Sequence, residues 1–216
     1  MIDIVREIEA TTREVAAGRL PAGEGHSIRL RRDYDAPIDD VWDAVTNPER
    51  VSRWFLPVSG DFRMGGRYQF EGNAGGEIVA CERPNRLKVT WVYGEVNSDA
   101  DISEVEVRLT AVDGDRTRFE LEHTAIVPEE FWAQYGPGAV GVGWDGGVLG
   151  LALHLRGGSV GDSQAWQLSE EGRAFATASS EAWGEAYLAS GADPAAVERA
   201  VRESTAFYAP EPEAVS

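Results

Sequence analysis

The chain is predicted to be α+β: an antiparallel sheet of about six or seven strands with a long C-terminal core helix lying across it, and further helices at both ends. Three observations predict it. From His26 to His123, short runs of alternating apolar and polar residues are separated by Gly, Pro, Asn and Asp clusters. Arg31 to Ala36 runs as a strand into a helix opened by Pro37. Late in the chain, Val140, Trp144, Val148, Leu151 and Leu155 recur at close to a helical period.

The elements follow in order. Ile4, Ile8 and Val15 fall near one helical face, so residues 3–18 read as a helix that Gly18 ends. Leu20 to Gly25 reads as a linker. Strand one, His26 to Tyr34, buries Ile28 and Leu30 and wets Arg29 and Arg31. Pro37 then sits where a helix tolerates a missing N–H, and Asp39 and Asp40 complement the dipole of its first turn. Val41, Trp42 and Val45 make its inner face, and a second short helix from Asn47 carries Val51, Trp54 and Phe55. Val58 to Phe62 is a short strand, and the paired glycines of Arg63-Met64-Gly65-Gly66 suit a hairpin. Strands around Tyr68 and Phe70, Glu77 to Glu82, Leu87 to Tyr93, Val105 to Leu109 and Phe119 to His123 complete a meander. Residues 169–190 and the segment capped by Asp193-Pro194 are helices, and Pro210 to Ser216 is a frayed end. The chain divides into an N-terminal helix and linker (1–25), a core domain (26–158) and a C-terminal helical extension packing on it (159–216).

Composition narrows the function. The formal net charge of −17 disfavours nucleic acid and anionic membrane surfaces, which are bound largely through Lys and Arg. No apolar stretch approaches the ~18 residues of a bilayer span. The N-terminus lacks a secretory pattern, so the cytoplasm is the expected location. Cys81 is the lone cysteine, which rules out an internal disulfide, and it reads as a small strand residue. His26, His123 and His154 show no metal-ligand spacing, and the glycine pairs belong to no phosphate-binding loop, so no metal or cofactor is expected.

Several short motifs, in order, resemble the helix-grip superfamily of Bet v 1/START type (SRPBCC), and within it the bacterial relatives of the C-terminal domain of the activator of Hsp90 ATPase. They are Tyr34-Asp35-Ala36-Pro37-Ile38-Asp39-Asp40-Val41-Trp42, Trp54-Phe55, Phe62 to Tyr68, Glu82-Arg83-Pro84 with Leu87 and Thr90-Trp91, Thr117-Arg118 leading to Glu122-His123, and Gly143-Trp144. The resemblance spans roughly residues 26–156 and implies a curved sheet gripping the late helix, with two short helices plugging one end. It also implies a cavity for a small apolar or amphipathic molecule. A separate N-terminal domain contributes to the chaperone contact of the eukaryotic activator. Only residues 1–25 precede the core here, so the family name implies the fold rather than that partnership.

Trp54, Phe70, Trp91, Tyr93, Trp144 and Val148 are the expected ligand-binding walls, with His123 supplying a directional hydrogen bond. The rings could equally be core filler, and His123 a core histidine satisfied by a neighbour. Two other readings stand beside ligand binding: an enzyme of cyclase, hydrolase or isomerase type with His123 as general base, and a protein-interaction module. Glu104, Glu106, Glu120 and Glu122 alternate outward as an acidic face, and Asp145 complements a helix dipole or pairs with His123. Phe175, Trp183, Tyr187, Val197, Val201 and Phe207 form an apolar stripe that must be covered by the core, as a cavity lid, or by a second copy in a homodimer.

Overall fold

The structure, a computed structural model, describes residues 2–210; most of the chain end read as frayed lies outside them. Eight strands form one antiparallel sheet: β1 (Thr11–Leu20), β2 (Gly23–Tyr34), β3 (Val58–Gly60), β4 (Arg67–Phe70), β5 (Gly75–Glu82), β6 (Arg86–Trp91), β7 (Ser103–Asp113) and β8 (Arg116–Ala125). Their spatial order is β1-β2-β8-β7-β6-β5-β4-β3, and the sheet stays open. Register shifts in β5–β6 and near the β7–β8 turn mark bulges, which bend a sheet.

The helices are α1 (Ile4–Glu9), α2 (Ile38–Thr46), α3 (Pro48–Trp54), α4 (Glu129–Tyr135), α5 (Gly138–Leu155), α6 (Ser163–Leu168), α7 (Glu170–Ala189) and α8 (Pro194–Tyr208). Helices α2 and α3 fill one end of the curve, as the motifs around Pro37 and Trp54 imply. The Asn47 side chain accepts from the Glu49 N–H at 3.1 Å and starts α3. Asp193 caps α8 by accepting from the Ala195 and Ala196 N–H groups.

The N-terminal reading needs correction. A helix over 3–18 does not form: the helix stops at Glu9, and residues 11–20 are the edge strand β1, paired residue by residue with β2 from Thr11↔Arg32 to Leu20↔Gly23. The expected linker is the tight turn of that hairpin, and β2 starts at Gly23, so the boundary at 25 falls inside a strand. Val15 satisfies a helical spacing from Ile8 and a strand alternation equally well, and β-branched Thr11 and Thr12 favour the strand. This hairpin raises the strand count to eight.

Core packing explains the composition of α5. Its apolar residues and glycines are spread round the helix rather than confined to one face, so it is covered on more than one side. Its inner face meets the sheet, where the Tyr34 hydroxyl donates to the Val148 carbonyl at 3.0 Å. Its outer face receives α7 and α8, bringing the fully buried Trp183 into the main core. Gly141 makes that contact close: a Cβ there would stand 2.3 Å from the Trp183 ring. Gly150 likewise lets the Trp54 carbonyl approach, its virtual Cβ lying 2.4 Å from that oxygen. Gly141→Ala is therefore expected to lower stability by about 1–3 kcal/mol through overpacking, although alanine is the better helix former. Urea denaturation of this variant beside Gly146→Ala, where the added methyl would meet open space, checks the claim.

Two ionic clusters tie the added elements down. Asp145 does not serve the helix dipole or meet His123. It is 2% exposed, takes a bidentate Arg13 from β1 at 2.9 and 3.0 Å, and accepts from Ser179 and Trp183 of α7. Buried Glu7 of α1 accepts from Arg32 of β2 and from Arg156 beyond α5. On the outer sheet face the glutamates are not a bare acidic surface. Lys88–Glu104 (2.6 Å), Arg86–Glu106 (2.7 Å) and Arg108–Glu106 (2.8 Å) pair across and along the strands, leaving Glu106 buried.

Candidate functional site

Between the concave sheet face, α2, α3 and the 61–66 loop lies a cavity of about 300 Å3 that opens to the surface. Its floor is the inward alternation of three strands: Leu87, Val89 and Trp91 of β6, Val105 and Val107 of β7, Phe119 and Leu121 of β8. Tyr68 and Phe70 of β4 and Ile78 of β5 wall one side. Val45, Val51, Trp54 and Phe55 close the helical end, and Phe62, Arg63 and Met64 stand at the mouth. Helix α5 contributes Trp144.

The rings around this space touch one another without filling it. Phe55 lies parallel to Trp144 with centroids 6.0 Å apart and meets Phe70 edge-on at 5.0 Å; Trp91 meets Trp144 at 5.0 Å. Trp54, Phe70, Trp91 and Trp144 are only partly buried, because each presents a face to open volume. Three polar tips are occupied within the protein. The Trp54 indole donates to the Ala44 carbonyl at 2.9 Å, the Tyr68 hydroxyl to the Thr90 carbonyl at 2.8 Å, and the Trp144 indole to His123 Nδ1 at 3.0 Å. What remains facing the cavity is mostly hydrocarbon. Among the described residues that line it, Arg63 is the sole charged one, and its guanidinium pairs with Asp61 at 2.6 Å on an exposed loop. Cys81 lines the rim and is exposed.

Four of the seven expected site residues therefore meet in one place: Trp54, Phe70, Trp91 and Trp144. Three do not. Tyr93 is 73% exposed, because the β6 ladder ends at Trp91. Val92 makes one last bridge to Gly75, and Gly94 turns the chain away at φ 84°, so strand parity no longer carries Tyr93 inward. Val148 is packed into the core against the sheet, one turn past the cavity's edge. His123 is buried behind Trp144 and does not line the large cavity.

The bonding of His123 defines its role. Its Nδ1 accepts from the Trp144 indole, so the ring proton sits on Nε2, which donates to Ser103 Oγ at 2.9 Å. Ser103 in turn donates to the Trp91 carbonyl at 2.6 Å. Every group in this chain is satisfied with the imidazole neutral. Burial pushes its pKa down to about 4. A ring with both nitrogens committed and a disfavoured cation is poorly placed to be a general base. It is a latch that holds Trp144 against the sheet.

Tyr68 and the floor residues Leu87, Val89, Val105, Val107, Phe119 and Leu121 were absent from the expected set, although their alternation places them on the same face as Trp91. Phe62, read as the end of a short strand, and Met64, read as a turn residue, were likewise absent from the expected set. The terminal helices do not form a lid: among the described residues, none beyond Trp144 lines the cavity. Also among the described residues, no cluster of His, Cys, Asp or Glu could hold a metal ion, and no helix is long and apolar enough to cross a membrane.

Comparison with known proteins agrees with this architecture. The family described as activator of Hsp90 ATPase homolog 1-like protein matches residues 35–148, from the strand-to-helix corner to the middle of α5. The crystal structure of CalU16 from Micromonospora echinospora is 39% identical over 85% of this chain and 99% of CalU16, with a TM-score of 0.66. Its solution structure gives 35% identity over 93% of each chain and a TM-score of 0.62. DynU16, a protein of the dynemicin biosynthetic locus, is 28% identical over 62% of this chain and 48% of its own, with a TM-score of 0.50. No curated protein matches. With its match from Asp35 to Val148 and its helix-gripping sheet, the chain belongs to the activator of Hsp90 ATPase homolog 1-like family.

Proposed function

We propose that this protein binds a small hydrophobic or amphipathic molecule in the cavity between the sheet and helices α2 and α3. The observation that carries the reading is the cavity itself: about 300 Å3 of open, ring-lined volume beside a core of buried side chains. Apolar atoms placed in such a space gain packing contacts with its walls. The tips of Trp54, Tyr68 and Trp144 are already bonded within the protein, which favours a ligand recognised mainly by shape and apolar surface. Any polar group of that ligand would lie toward the mouth, beside Arg63. The fold shared with a protein of a biosynthetic locus supports a small-molecule partner.

Native mass spectrometry of protein isolated from its own host tests this directly. A bound non-protein mass that solvent extraction removes is the expected result. A second test uses the tryptophans in the wall. Titration with 1-anilinonaphthalene-8-sulfonate is expected to quench their fluorescence in wild type, and Leu121→Trp, which fills the floor, is expected to weaken binding by tenfold or more. Wild-type protein that comes out empty and gives no saturable quenching defeats the reading.

A further inference from the structure

A second, smaller cavity of about 40 Å3 lies further along the same inner face. Strand β8 runs past both. Its inward residues Phe119 and Leu121 face the large cavity, while His123 and Ala125 face the small one. Helix α5 spans the same two compartments from the other side, with Val140 over the small cavity and Trp144, one turn on, over the large. The small cavity is otherwise bounded by Ile28, Val127 and the stacked pair His26–Trp132, whose rings lie 3.6 Å apart. Its outer wall, Phe131 and Val140, is partly exposed. Between the two spaces stands one bridge from helix to strand, the 3.0 Å hydrogen bond from Trp144 to His123.

We infer that Trp144, latched by His123, is a partition that sets the maximum length of ligand the large cavity accepts. This rests on the ligand-binding reading and deepens it. The bound molecule lies with its apolar end against the Trp144 indole and its polar end at the 61–66 mouth. Two features make the indole a stop rather than one more wall. Its N–H has a buried acceptor that would be left unpaired if the ring swung aside, at a cost far greater than one apolar contact returns. The acceptor is itself held, because Ser103 and the Trp91 carbonyl fix the imidazole from behind. A chain that grows past this point must break the latch. Removing either half of it joins the compartments.

The test uses dansyl amides of straight-chain amines from butyl to tetradecyl, with binding followed by energy transfer from tryptophan. In wild type, affinity is expected to rise about fourfold per added methylene while the tail is being buried, and then to stop rising at a definite length. In Trp144→Ala and in His123→Ala, each approaching the partition from one side, the plateau is expected to move to longer tails. An unchanged plateau in a folded variant overturns the inference and leaves the ligand-binding reading intact. No binding of any length by wild type overturns that reading, and this inference with it. A measurement on the unaltered protein covers the case in which neither variant folds. A dansyl amide of plateau length with a diazirine at its tail end is expected to label Trp144 or Trp91 on irradiation. Labelling of Ile28, Ala125 or Val140 instead would place the tail beyond the partition and overturn the inference.

Discussion

Asp145→Ala is expected to cost about 3–5 kcal/mol of stability, with a fall in Tm on the order of 10 °C. The reason is what the substitution leaves behind. Arg13 is 6% exposed and gives Nε and Nη2 to this carboxylate, so removing the carboxylate leaves a buried positive charge held only by the Ile8 and Thr11 carbonyls. Ser179 and the Trp183 indole lose their acceptor in the same stroke. The ion pair is weak evidence of net stabilisation, since apolar residues could fill the space as well, but breaking it from one side is costly. The double variant Arg13→Leu/Asp145→Leu is therefore expected to recover part of the loss, the remainder reflecting the two orphaned donors. Urea unfolding of the single and double variants checks both statements. A single variant within about 0.5 kcal/mol of wild type would mean that water reaches the guanidinium and that the extension is not pinned through α5.

The second large effect is a dependence of stability on pH. The buried imidazole of His123 has its pKa pushed down to about 4, against 6.5 for an unperturbed histidine. Between those values the unfolded chain carries a proton that the folded chain refuses, so ΔG of unfolding rises with pH across the window. The contribution is complete above about pH 6.5, declines as the pH falls, and is spent near pH 4; its size is about 3 kcal/mol. Burial also lowers the pKa of His26 and His154, which add in the same direction. Burial pushes the Glu7 carboxyl up, but Arg32 and Arg156 outweigh it and leave the group below its usual 4.5. Its contribution is held above that value and lost as the pH falls further, so it lies mostly below the histidine window. Comparing wild type with His123→Leu isolates the one ring. Urea midpoints at pH 7.5, 5.5 and 4.5 are expected to fall less steeply for the variant. Equal slopes would mean that the imidazole titrates normally and does not hold Trp144 as a neutral acceptor.

The second effect bears on the cavity because it concerns how one of its walls is held. The walls are large rings that would collapse onto one another if free to move. Three are tethered through their polar tips, to the Ala44 and Thr90 carbonyls and to His123. The buried imidazole behind the pH-dependent term is the same ring that accepts from the Trp144 indole.

Local pattern by itself determined a good deal. Alternation from Ile28 to His123 marked most of the sheet and its inner face, because a half-buried strand must bury every second side chain. Pro37 and Asn47 marked the starts of α2 and α3 through the chemistry of helix ends. Trp54, Phe70, Trp91 and Trp144 could be placed in one volume because the resemblance supplied an arrangement into which their periodic positions fit. Tertiary structure decided the rest. Residues 11–20 became a strand only because β2 offered an unpaired edge; their spacing suited either state. Tyr93 left the inner face where its ladder ran out, and parity has no meaning beyond the last pair. Asp145 found Arg13 across a separation of 132 residues, and His123 turned its nitrogens to Trp144 and Ser103 rather than to the large cavity. Periodicity reports which side of an element is buried. Which buried group meets which, and where space is left over, depends on side chains brought together from distant parts of the chain, and no local spacing encodes that.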